Sequence, residues 1–62
     1  MTDYDVWVVH EYFSLYFCFV ADNKQEAFDL IEQRIEEEGL PKWLYRDAQE
    51  IKIEEMGRVR VP

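Results

Sequence analysis

One amphipathic helix has to serve a sheet that is apolar on both sides, and that mismatch limits what this chain can fold into. Residues 5–20, DVWVVHEYFSLYFCFV, are rich in β-branched and aromatic side chains, the composition of strands. Sixteen positions exceed the roughly five or six of a typical strand. The run therefore reads as two strands, residues 6–10 and 15–20, with a reversal near Glu11-Tyr12-Phe13-Ser14. A single long bent strand is the alternative, and without Asn-Gly or Asp-Gly the turn has no readable type. Alternation puts Val6 and Val8 on one face and Trp7 and Val9 on the other. It separates Leu15, Phe17 and Phe19 from Tyr16, Cys18 and Val20 in the same way. Both faces are apolar.

The helix is ADNKQEAFDLIEQRIEEEG. Asn23 or Asp22 can accept the free N–H groups of a first turn, and Glu26 stands three residues after Asn23, as a capping box requires. Ala27, Leu30, Ile31 and Ile35, with Phe28 at the side, form a stripe at helical spacing, while Asp29, Glu32, Glu36 and Glu37 fall opposite. Gly39 suits the left-handed position that ends a helix and Pro41 prevents resumption, which bounds the element at about residues 24–38. LPKWLYRDA then reads either as a short helical turn opened by Pro41 or as an irregular connection pinned by Trp43. EIKIEEM alternates as a strand with Ile51 and Ile53 on its dry side. Gly57 marks a turn or bulge, and RVRV alternates again as a short final strand. The expectation is an α+β domain over residues 1–62: an antiparallel sheet of three to four strands in the order β-β-α-β, with one amphipathic helix on one face.

Sixty-two residues make one domain, near the size at which a hydrophobic core only just offsets chain entropy. Cys18 is the only cysteine, so an internal disulfide is excluded. With His10 as the only other soft ligand, a four-ligand zinc site is not expected, and no cofactor is implied. MTDYD is acidic where a secretory leader is basic, and no apolar run approaches the ~20 residues of a bilayer span. A cytoplasmic protein without membrane contact is the resulting expectation. A net charge of −7 argues against binding nucleic acid directly, which needs clustered Lys and Arg, and favours a partner protein with a basic surface. Residues 22–38 hold seven acids against Lys24 and Arg34, a local net of −5.

Few residues suggest chemistry. His10 and Glu11 are the materials of acid–base catalysis, but strand neighbours point to opposite faces, so the pair is not preassembled. Cys18, between Phe17 and Phe19, reads as a small core hydrophobe with an inert thiol. Glycine-rich phosphate loops, metal spacings and Ser-His-Asp sets are missing from the sequence, and an enzyme is not expected.

Two surfaces stand out instead. Asp29, Glu32, Glu36 and Glu37 form an acid row that could imitate DNA phosphates, although any amphipathic helix carries charge on its wet side. The second sheet face, with Trp7, Tyr12 and Tyr16, has no helix left to cover it, and Tyr and Trp are enriched at binding hot spots. Residues 40–47 could fold across that face with Trp43 as the plug. Otherwise it meets another protein, or a second copy as the seam of a homodimer.

An aromatic hairpin running into ADNKQEAFDLI resembles, over about residues 4–35 and in architecture, small acidic accessory proteins of bacteriophages and other mobile elements. The resemblance implies a non-enzymatic protein that binds and modulates a host protein, sometimes as a nucleic-acid mimic, in the host cytoplasm.

Overall fold

The structure, a computed structural model, describes residues 1–56. Strand β1 spans Thr2–Val9, β2 Ser14–Ala21, helix α1 Lys24–Glu37, a single turn α2 Trp43–Arg46, and β3 Glu50–Glu55. The sheet is antiparallel and ordered β2-β1-β3. Since β2 and β3 both run against β1, they are parallel to each other with β1 between them. The chain must therefore cross one face of the sheet to connect them, and α1 makes that crossing. The fold is α+β with three strands; Gly57 and the RVRV segment lie outside the described residues.

The hairpin is present, but its strands are longer than the alternation of apolar residues indicates. β1 begins at Thr2 rather than residue 6, because Asp3 and Asp5 take outward positions between Thr2, Tyr4 and Val6. Tyr4, which the apolar pattern did not mark, is 4% exposed and belongs to the core. The register pairs Tyr4 with Phe19, Val6 with Phe17 and Val8 with Leu15. On the other side Val6 meets Ile53 and Val8 meets Ile51. Central β1 thus places Val6 and Val8 between two apolar neighbours each, and both are fully buried. His10 N–H donates to the Phe13 carbonyl at 2.8 Å, leaving Glu11-Tyr12 as the loop. Among the described residues Gly39 alone has a positive φ, so this is not one of the primed turns usual in tight hairpins. A stack of His10 on Phe13, centroids 4.6 Å apart, closes the strand ends instead.

Helix α1 is set by its ends. Asn23 Oδ1 accepts from Glu26 N–H at 2.9 Å, the N-cap bond that satisfies a first-turn donor. At the other end Gly39 N–H donates to Glu36 O and Leu40 N–H to Ile35 O, the pair of bonds that defines a Schellman motif. Gly39 adopts φ +68° there, a left-handed conformation that costs other residues about 1–2 kcal/mol. Replacing Asn23 by alanine orphans the Glu26 N–H. We expect a loss of about 1 kcal/mol, read as a lower urea midpoint with unchanged slope.

The helix buries Ala27, Ile31 and Ile35 against Tyr4, Val6, Val8, Phe19 and Ala21. Ala21 and Ala27, both fully buried, let the chain turn closely from strand into helix. Arg34 covers the edge of this core, its guanidinium 5.6 Å from the Phe19 ring centroid. Turn α2 adds Leu44 to the same cluster, so residues 40–47 extend the cover of the helix-bearing face and do not cross to the other one. Trp43 is not a plug for the second face. It stands 49% exposed with its ring edge-on to His10 and Phe13, beside the hairpin loop.

Candidate protein-interaction surface

The second face of the sheet is open among the described residues. Its outward side chains are Asp3, Asp5, Trp7 and Val9 from β1, Ser14, Tyr16, Cys18 and Val20 from β2, and Glu50, Lys52 and Glu54 from β3. Their arrangement follows from register. Trp7, on the central strand, is opposite Tyr16 on one side and Lys52 on the other. The Trp7 and Tyr16 rings lie 5.5 Å apart at 45°, and Lys52 Nζ is 5.6 Å from the Trp7 centroid. Tyr16 Oη donates to Asp5 Oδ1 at 2.5 Å, and Lys52 Nζ pairs with Glu54 at 3.2 Å.

The result is an indole at the centre of a small aromatic patch, rimmed by the carboxylates of Asp3, Asp5, Glu50 and Glu54. Lys52 is the only cation among the described residues of this face. Tyr16 is 54% exposed, and Val20 and Cys18 are also exposed. Cys18 is therefore not a core residue. It occupies the outward position opposite Asp5, because alternation along β2 takes priority over the company of Phe17 and Phe19, which point to the helix side.

The acid row lies elsewhere. Asp29, Glu32, Glu36 and Glu37 are exposed on the side of α1 turned away from the sheet, along about 12 Å of helix. Gln25 donates to Asp29 at 3.2 Å, Gln33 donates to Glu37 at 3.0 Å, and Lys42 pairs with Glu36 at 3.5 Å. The helix layer stands between this row and the open sheet face, so a single flat partner reaches one or the other. Tyr12 belongs to neither: it projects from the hairpin loop, 89% exposed. Of the seven residues that the sequence marks for a partner, the fold brings together Trp7 and Tyr16, groups the four helix acids on the far side, and leaves Tyr12 alone.

Sequence reasoning missed Asp3, Asp5, Glu50, Lys52 and Glu54 as parts of the aromatic surface. Alternation in TDYDVW and EIKIEE gives their outward direction. What brings them around Trp7 is the placement of β1 between β2 and β3.

His10 has a structural task. Its Nε2 lies 2.6 Å from the Leu44 carbonyl oxygen. A carbonyl can only accept, so Nε2 carries the proton and donates it. Together with the Phe13 stack, this bond ties the end of β1 to α2. Neighbouring Glu11 is exposed in the loop. Among the described residues no cluster of three His, Cys, Asp or Glu side chains is placed to hold a metal ion. No helix among them is long and apolar enough to cross a membrane.

No family model, curated protein or solved structure matches this chain.

Proposed function

We propose that this chain is a non-enzymatic protein-interaction module whose open sheet face engages a basic surface of another protein and inhibits or redirects it. The observation that carries the reading is the ring pair of partly buried Trp7 and exposed Tyr16, on a sheet face that also carries four carboxylates and one lysine. Exposed aromatic area anchors a partner, and the carboxylate rim selects for arginine and lysine opposite it. An arginine suits this site doubly, since its guanidinium can stack on an indole and pair with a carboxylate. A role as an accessory protein of a phage or mobile element, acting in the host cytoplasm, agrees with this chemistry. A homodimer through the same face fits less well, because the carboxylates of one copy would be brought against those of the other.

The test is affinity capture by the tagged full-length chain from its native host, followed by salt titration of the captured complex. Capture should weaken steeply as the screening length shortens from about 10 Å at 0.1 M salt to about 3 Å at 1 M. It should survive the triple change of Glu32, Glu36 and Glu37 to Gln, which leaves the sheet face untouched. Capture that is lost in the triple variant would move the site to the helix and support nucleic-acid mimicry instead. Salt-insensitive capture would remove the charge argument.

A further inference from the structure

We propose, resting on the reading that the partner is basic, that it supplies an extended segment of alternating basic and apolar residues, laid along the outer edge of β3 as a further antiparallel strand. Backbone direction identifies the groups that would hold it. Met56 N–H donates to Asp3 O at 2.9 Å, straight across the register that pairs Asp5 with Glu54, Trp7 with Lys52 and Val9 with Glu50. Successive residues of a strand turn their peptide groups to opposite sides, so Glu50, Lys52 and Glu54 direct theirs toward β1. Ile51, Ile53 and Glu55 direct N–H and C=O away from the sheet. Among the described residues no strand lies beyond β3, and no backbone hydrogen bond reaches those three residues. An edge of this kind takes up an extended peptide through main-chain bonds, while side chains decide which peptide.

Charge on an edge strand ordinarily keeps it single. Here the charge has a sign, and the sign selects the occupant. β3 carries Glu50, Glu54 and Glu55 against Lys52. Lys52 already pairs with Glu54 at 3.2 Å and stands 5.6 Å from the Trp7 ring centroid. A second copy, of net charge −7, would set glutamates against glutamates, which is unfavourable across strands. A basic strand meets the opposite condition.

The alternation of β3 also specifies a pattern. Glu50, Lys52 and Glu54 lie on the open face, and Ile51 and Ile53 lie partly buried on the helix side. An added strand therefore suits both faces when basic residues stand opposite Glu50 and Glu54 and apolar residues opposite Ile51 and Ile53. The residue opposite Lys52 should be uncharged. In sequence this reads basic, apolar, polar, apolar, basic. Such a strand extends the Trp7–Tyr16 face past Lys52 and adds to the apolar helix side.

The probe is the peptide Arg-Val-Thr-Val-Arg with acetyl and amide ends, titrated into the full-length chain while backbone amides are followed by NMR. The amides of Ile51, Ile53 and Glu55 should exchange quickly in the free chain and slowly when the peptide is saturating. N-methylation of both valines removes the N–H groups that face β3 and should weaken binding roughly tenfold or more. N-methylation of the threonine, whose N–H faces away, should change affinity by no more than about twofold. Glu50→Lys combined with Glu54→Lys, at two exposed positions, should lose the arginine peptide and bind its glutamate counterpart, with the circular dichroism of the parent. Three results overturn the added strand: no binding at millimolar peptide, protection of those amides in the free chain, or binding indifferent to the valine methyl groups. Each would leave the open face standing as a docking surface, since that reading is decided separately by salt-sensitive capture of the whole partner.

Discussion

Replacing Ile35 by alanine should lower the unfolding free energy by about 2–5 kcal/mol, the range for emptying a buried branched site. Ile31→Ala should do nearly as much. Both side chains are essentially inaccessible to solvent and sit between the helix and the strand pair β1–β2. They have few substitutes, because Ala27 is small and Leu30 only partly buried. A domain of 62 residues has a total stability of roughly 3–9 kcal/mol at the usual amount per residue. Either variant should therefore be close to unfolding at room temperature. Urea titration monitored by tryptophan fluorescence would register a fall in the midpoint with little change in slope. A loss below about 1 kcal/mol would be too small for a core truncation and would mean that α1 is not seated on the sheet.

The same packing explains which parts of the fold could be read from the sequence. Helix α1 was legible to within a residue at each end, because its limits are local chemistry: Asn23 accepting from Glu26 N–H, and Gly39 at a positive φ. The division of β2 into a helix side and an outward side was legible for the same reason, since alternation needs no knowledge of neighbours. The first four residues of β1 were not. Asp is poor in strands, and Asp3 and Asp5 are tolerated because they alternate outward around Tyr4, which only the Tyr4–Phe19 pairing reveals. Trp43 was ambiguous because a tryptophan four residues after a helix-ending glycine can swing to either side of a sheet. Leu44, anchored in the core, and His10, bonded to its carbonyl, decide the matter.

The candidate surface was half legible on similar grounds. That an aromatic face would lack a helix follows from counting elements, and Trp7 and Tyr16 are its centre. The acid rim depends on strand order, a long-range property. Placing β3 beside β1 brings Lys52 to the Trp7 ring and Glu54 level with Asp5. The helix acids, conspicuous in the sequence, turn out to be separated from the aromatic patch by a layer of protein. The separation divides one expected site into two surfaces that can be tested independently.

Trp7→Ala should weaken binding of the captured partner by about 30-fold or more, the loss of roughly 2 kcal/mol that marks an interface hot spot. The reason is position. Trp7 occupies the central strand with cross-strand neighbours on both sides, so a partner covering Tyr16 and Lys52 must also cover the indole. Removing the ring also frees Lys52 from its place over the indole and Tyr16 from its ring contact, which loosens the rest of the patch. Fold stability should change less than in the core truncations, since Trp7 lies outside the buried core and a cross-strand pair contributes about 1 kcal/mol or below. Trp43→Ala provides the matched control: it removes another partly exposed tryptophan, but one beside the hairpin loop. Binding measured by titration calorimetry should respond to the first change and not to the second. Equal affinity for the Trp7→Ala variant and the parent would refute the sheet face as the docking surface, whatever partner is captured. A loss confined to Trp43→Ala would transfer the site to the cluster of His10, Phe13 and Trp43.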